Sequence, residues 1–375
     1  MAEYADVLIV GAGPAGLATA IAVRLKGLSV TVADSRRPPI EKACGEGLLP
    51  EGVAALSFLG IHLNSNVLNS NVAFPVAGIR FCDETSSATG KLPQGAVSFG
   101  LRRTVLHSLL LQRAHEVGVS FRWGTRVSDC TTNTARLDGA PVGFRWLVGA
   151  DGQKSNVRKW AALGPRSVRS SRFGFRRHFT IAPWSNFVEV YWGHRCQIYV
   201  TPTGSCELCV ALLASDPQMR IAQALPQFPE LVARLHHAQP LTTELGGVTT
   251  LDQFGKVARG NAALVGDASF TVDGITGQGL SLAFQQALHL SDALATENLA
   301  AYEVAHRALI RAPARMARLL LLLARHNWLR RRTLRILAKN PNLFASLLSS
   351  HSDKTVSHHA EPIEVLDQPC QVLRA

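Results

Sequence analysis

Three clusters of glycines and acids hold the residues whose types and spacing could do chemistry in this chain. The first is Gly11-x-Gly13-x-x-Gly16, with Pro14 and Ala15 between the glycines and Asp34 further on. In such a cluster Gly11 permits a tight turn, Gly13 lets a pyrophosphate touch backbone, and Gly16 lets a helix pack close to a strand. The free N–H groups and positive dipole end of the following helix would face the phosphates. Asp34 stands where an acid binds ribose hydroxyls. The second cluster is Gly149-Ala150-Asp151-Gly152. The third runs from Gly266-Asp267-Ala268 through Gly274-Ile275-Thr276-Gly277-Gln278-Gly279 to Leu280. Asp267 ends an apolar run, where it can bond a sugar hydroxyl, and the helix start at Gly277 to Leu280 offers further free N–H groups.

These clusters need elements to position them, and the flanking residues carry the signals. Ala5 to Val10 is a short run rich in Val and Ile, as in a buried parallel strand, and Leu17 to Lys26 has the period of a helix. Leu28 to Ala33 reads as a second strand. Strand, turn, helix, strand and terminal acid together predict a dinucleotide-binding βαβ unit. Residues 51–60 and 101–118 read as helices, the second stopped by Gly118. Strands are expected at 72–76, 78–82, 96–99 and 119–123, with a β-meander over 126–136 and 142–148. From Arg172 to Leu213 the chain alternates in strand fashion and is rich in aromatics, which predicts an antiparallel sheet. Residues 216–238, Leu280 to Leu294 and the stretch to about 349 read as helical. The polar, unpatterned tail at 350–375 is expected to be disordered.

In this order and at these separations, the three clusters resemble those of the para-hydroxybenzoate hydroxylase-like flavoprotein superfamily. That superfamily holds aromatic monooxygenases, prenyl-chain reductases of the geranylgeranyl reductase type and flavin halogenases, and the resemblance covers roughly residues 5–300. It implies FAD as cofactor. Gly11, Gly13, Pro14, Ala15, Gly16 and Asp34 would hold its ADP half, and Arg103 matches the family's cofactor-contacting arginine. Asp151 would serve the second motif, with Gly266, Asp267, Gly277, Gly279 and Leu280 at the ribityl-pyrophosphate region and the ring. The implied fold is α/β: a Rossmann-like three-layer FAD domain (1–70, 98–165 and 250–300), an inserted antiparallel β-sheet substrate domain (71–97 and 166–249) and a helical C-terminal extension (301–349). Gly274 stands where the family commonly has proline, so a looser loop is expected there.

Cys44-Gly45-Glu46-Gly47-Leu48 resembles the Cys-Gly-Gly-Gly-Leu loop of geranylgeranyl reductases. Its glycines imply that something packs against its backbone, which makes Cys44 and Glu46 the candidate catalytic residues. Glu46 would donate a proton or hydrogen-bond substrate, and Cys44 would line the site; the alternative is a buried thiol and a solvated carboxylate. His178, Tyr191 and His194 are weaker acid–base candidates. The Trp-x-Trp-x-Ile-Pro signature of flavin halogenases is absent. The activity that the resemblance implies is that of an NAD(P)H-using monooxygenase, hydroxylating a hydrophobic aromatic or polyketide-like substrate. The alternatives are a flavin-dependent reductase of isoprenoid or other C=C bonds and, from another class, a non-enzymatic flavin-binding, membrane-docked partner protein. No second GxGxxG follows a strand, so NAD(P)H is expected to bind transiently.

Composition bounds these readings. The 375 residues, 47% of them hydrophobic, suit a globular chain of two domains or one with an insertion. No stretch is apolar enough for a membrane span, no signal peptide is expected, and a cytoplasmic protein follows. No metal is expected: Cys206-x-x-Cys209 has metal or redox spacing but no second Cys/His pair nearby, so the cysteines read as reduced packing residues. The net charge of +12 is local, because Arg307, Arg311, Arg315, Arg318, Arg325, Arg330, Arg331, Arg332, Arg335 and Lys339 supply ten positive charges while 304–340 holds no acid. The stripe reads as a solvated face or as peripheral membrane contact through 307–340, and no nucleic-acid motif accompanies it. A monomer or homodimer is expected.

Overall fold

In a computed structural model, residues 3–63, 73–164, 167–252 and 255–349 are described. The expected tail at 350–375 lies outside them. Glu3–Val10 is the central strand of a parallel array, with Val30–Asp34 on one side and Ala140–Gly149 on the other. Ser120–Trp123 extends the first flank and Ala262–Leu264 the second, each in parallel. Alternation along the central strand separates two cores. Val7 and Ile9 face the helices Pro14–Leu25, Arg103–Glu116 and Gly279–Ala295, while Leu8 faces Phe144, Leu147 and Val157 on the opposite layer. That layer contains the short helix Asn156–Trp160 and the hairpin of Thr134–Leu137 with Ala140–Gly149. The three-layer arrangement is the one expected.

A second sheet is antiparallel except at one pairing. Val168–Thr180, Phe187–Trp192, Cys196–Gly204, Glu207–Ala214 and Leu245–Asp252 form its body, and Gly78–Cys82 joins it in parallel beside Phe187–Trp192. Its two faces also divide by alternation. Ile198, Val200, Val210 and Leu212 pack under Ile221, Phe228 and Leu231, whereas Val190, Trp192 and Leu213 turn toward Leu320 and Leu323. The expected helix at 216–238 is broken into Ile221–Ala224, a 3-10 turn and Pro229–Leu235. Pro226 and Pro229 lack the N–H that a continuous helix would need.

The C-terminal extension is three helices, Leu299–Arg325, Asn327–Lys339 and Pro341–Ser349. Leu334, Leu337 and Phe344 pack on Ala88 of the outer hairpin, with Phe344 stacked on Phe81 at 5.2 Å between ring centroids. No helix among the described residues is long and apolar enough to cross a membrane.

Candidate functional site

The strand ends of the first sheet meet the inner face of the second at one cavity of about 1060 Å³. Every expected cofactor-binding residue except Gly16 lines it, as do Cys44 and Glu46, whereas His178, Tyr191 and His194 do not. Gly16 acts behind the wall: a Cβ there would come within 1.9 Å of the Gly11 carbonyl oxygen, so the helix–turn contact requires glycine. Gly11 itself has φ +106°, a left-handed conformation that glycine adopts freely. A Cβ on Gly13 would meet nothing within 4 Å, so this backbone is open to the cavity.

Asp34 is buried at its strand end, where Oδ2 accepts from the Ala12 N–H at 2.9 Å and Oδ1 from the Arg36 N–H at 2.8 Å. Asp151 lines the cavity with its buried Oδ1 unpartnered among the described residues, and its other oxygen has a local duty. Its Oδ2 accepts from the Asn156 N–H at 2.7 Å and the Val157 N–H at 3.3 Å, tying the second cluster to its helix. Arg158 is a residue that sequence reasoning left without a role. Buried, its guanidinium donates to the carbonyls of Ala268 and Ser269, stapling the second cluster to the third. Asp267 pairs with Lys42, which lines the same groove.

The loop at Gly274 is not loose, contrary to expectation. The Gly274 N–H, which a proline would lack, donates to Thr249 Oγ1 at 2.7 Å, and Asp273 Oδ1 accepts from the Ile275 N–H at 3.0 Å. Tyr199 OH adds a bond to the Ile275 carbonyl at 2.9 Å. Asp273 is fully buried beside Arg172, and desolvation raises its carboxyl above the usual range against the pull of that cation.

Glu46 is the buried acid of the cavity. It sits at φ +60°, strained for a residue with a side chain, and its carboxylate is completely enclosed. Oε2 lies 2.5 Å from His178 Nε2, Oε1 accepts from the Arg103 N–H at 3.2 Å, and Arg176 Nε stands 3.9 Å away. Arg176 donates to His178 Nδ1 at 3.2 Å, so Nδ1 accepts and Nε2 carries the proton that faces Glu46. Arg176 also pairs with Glu41. Cys44 lines the cavity next to this network, its Sγ receiving the Glu46 N–H at 3.3 Å.

Among the weaker candidates, only His178 belongs here. The Tyr191 hydroxyl donates to Glu189 at 2.7 Å in a different core, and His194 is exposed. The ligand atoms of Glu46, His178 and Cys209 lie within 4.8 Å of one another. They suit a hydrogen-bonded network better than a metal ion: Arg176 already supplies the cation, and burial pushes the Cys209 thiol well above its usual value. Cys44, Cys82, Cys130, Cys196 and Cys209 are free thiols as expected, whereas Cys206 is disulfide-bonded, which corrects the reading of it as a reduced packing residue.

The groove end of the cavity fits FAD. Two helix starts, at Gly13–Pro14 and Gln278–Gly279, reach it without any side-chain cap on their N–H groups. Arg103 Nε and Gln278 Oε1 are buried there with no hydrogen-bond partner among the described residues, poised for a polar ligand.

Comparison with known proteins agrees. Residues 4–303 match the family model described as "FAD binding domain". A menaquinone reductase of Mycolicibacterium smegmatis is 32% identical over 181 residues, 46% of this chain and 43% of that protein. A 3-(3-hydroxy-phenyl)propionate/3-hydroxycinnamic acid hydroxylase of Mycobacterium sp. (strain JLS) is 34% identical over 170 residues, 41% of this chain and 29% of the hydroxylase. The matches thus span less than half the length of either relative. The crystal structure of a flavoprotein/dehydrogenase from Cytophaga hutchinsonii superposes with a TM-score of 0.76 at 17% identity, covering 92% of both chains, and so shares the fold. With glycine loop, terminal acid and uncapped helix starts around one groove, the chain belongs to the FAD-binding domain family of flavoproteins.

Proposed function

We propose that this flavoprotein is an NAD(P)H-using monooxygenase that hydroxylates a hydrophobic, aromatic or polyketide-like small molecule. One observation carries the reading: the FAD groove and an apolar chamber are a single cavity, with the buried carboxylate of Glu46 in its wall. When bound, FAD supplies the redox chemistry, taking reducing equivalents from NAD(P)H and passing them to oxygen or to a double bond. The chain does the rest. Val188, Val190, Tyr199, Ala211 and Leu213 on the inner sheet face exclude water from the chamber. Glu46, held by His178 and Arg176, is the group placed to take a proton from a substrate hydroxyl, and the His178 Nε2 proton stabilises its charge. NAD(P)H would bind transiently. A cytoplasmic place, a monomer or homodimer, no nucleic-acid partner, and contact with a membrane through 307–340 belong to the same reading.

Reduction of an isoprenoid or other alkene is the second reading, favoured by the place of Cys44 and Glu46, the reductase-like loop, in the cavity wall. The test is turnover of the FAD holoprotein with NAD(P)H and a panel of hydrophobic phenols and prenylated compounds, with and without oxygen. The first reading expects a hydroxylated product and matched oxygen uptake. A saturated product formed without oxygen would replace it with the second, and NADH or NADPH oxidation indifferent to every compound would sink both.

A further inference from the structure

We propose that the exposed faces of Leu299–Arg325 and Asn327–Lys339 dock on an anionic lipid surface and turn the mouth of the cavity toward it. The proposal deepens, and for the route of the substrate rests on, the reading of the chamber as one for an apolar small molecule. Its own support is charge, exposure and continuity. From Val304 to Ser352 the sequence holds no acid. Arg311, Arg315, Arg325, Arg332, Arg335 and Lys339 are exposed and enter no salt bridge among the described residues, whereas Arg307 pairs with Glu303 and Arg331 with Glu84. A solvated basic stripe would account for that charge alone.

It does not account for the apolar side chains set among the cations. Arg315 is followed at helical spacing by Leu319 and Leu322, and Trp328 by Arg332, Arg335 and Ile336, with Trp328 67% exposed. Alternating cations and large apolar groups on one helix face match an interface of headgroups over acyl chains, where arginine stems lie along apolar surface and their heads reach phosphates. A nucleic acid would use the charge and leave the leucines and isoleucine without purpose.

The cavity opens on this face. Leu319 and Leu347 both line it, yet are 49% and 42% exposed, so they stand at its mouth. Behind them Leu320, Leu323, Leu337 and Leu348 continue the apolar wall inward. A docked molecule would therefore present an apolar entry to the acyl region, and a poorly soluble substrate could pass between them without crossing water.

The experiment is co-sedimentation of the FAD holoprotein with vesicles of phosphatidylcholine alone and of phosphatidylcholine with phosphatidylglycerol, at low and high salt. Binding to the anionic vesicles that weakens with salt is expected. The double variant Arg315→Glu, Arg335→Glu should lower that partition by roughly a hundredfold while keeping its FAD and its turnover of a water-soluble substrate. Trp328→Ser should weaken binding at fixed charge. Absence of anionic-vesicle binding at low salt, equal binding to neutral vesicles, or tighter binding of single-stranded RNA would each overturn the proposal. Sedimentation without any enzyme turnover would leave the docking face standing and remove the proposed activity instead.

Discussion

Glu46 shows what a single residue must tolerate to serve this cavity. It accepts a left-handed backbone and full burial of a carboxylate, both of which oppose folding unless partners compensate. His178 and Arg176 are those partners, and they stand on a strand far away in sequence. The glycines around Glu46 made its loop legible as a place of close backbone approach. His178 was legible only as one of three weaker acid–base candidates, and its pairing with Glu46 was not, because it depends on register: His178 lies across from Cys209, and that register brings the strand over the loop. Glu46→Gln keeps the shape and removes the base. It should retain FAD while lowering turnover about a hundredfold or more, the usual contribution of a positioned acid–base group. His178→Gln should also lower turnover, though by less, because Arg176 remains beside the carboxylate and the glutamine amide can still donate to it. Unchanged turnover in Glu46→Gln would return this carboxylate to a structural role.

At the scale of elements, the first strand, turn and helix were readable because their signal is local: Val and Ile in a run, then glycines, then helix period. Their bounds moved by a few residues, Pro14–Leu25 for a helix expected from Leu17, since proline is comfortable at the first helical turn. The loop at Gly274 misled, because the absence of proline suggested freedom while Thr249 from outside the motif and Asp273 within it supply the restraint. The glycine turn itself yields a sharp contrast. Gly13 has φ −69° and open space around its missing Cβ, so Gly13→Ala should cost the fold under about 1 kcal/mol, yet weaken FAD binding by about tenfold or more where the backbone must approach phosphate. Gly16→Ala drives a Cβ into the Gly11 carbonyl and should cost on the order of 3 kcal/mol before any cofactor is added. Denaturant unfolding of the two apoproteins, with flavin titration, separates the effects; equal stabilities would contradict the close packing of helix on turn.

The whole molecule is held together by bonds that run from the C-terminal extension back to the cofactor loop, and composition alone shows only the charge of that extension. Tyr302 donates from its hydroxyl to the Leu264 carbonyl at 2.7 Å, and His306 Nε2 lies 3.0 Å from Ser269 Oγ. Ser269 Oγ donates to the Gly266 carbonyl, so it accepts from His306, whose Nε2 carries a proton, while the buried Nδ1 has no hydrogen-bond partner among the described residues to stabilise a second one. Burial, aided by Arg158 and Arg307, pushes the His306 pKa down to about 3. The sign follows from the depression. An unfolded chain takes up a proton on this imidazole near its ordinary pKa of about 6.5, while the folded chain refuses it until about pH 3. The neutral folded imidazole thus costs nothing above about pH 6.5, and stability drains away as pH falls through the window below it. Between pH 7 and 5 this one group should remove about 2 kcal/mol of unfolding free energy. His306→Gln can still donate to Ser269 and has nothing to protonate, so its stability should vary with pH less steeply over the same interval. Urea unfolding of the two holoproteins across pH 5–7 measures the difference, and parallel curves would show that His306 is protonated in the folded chain after all.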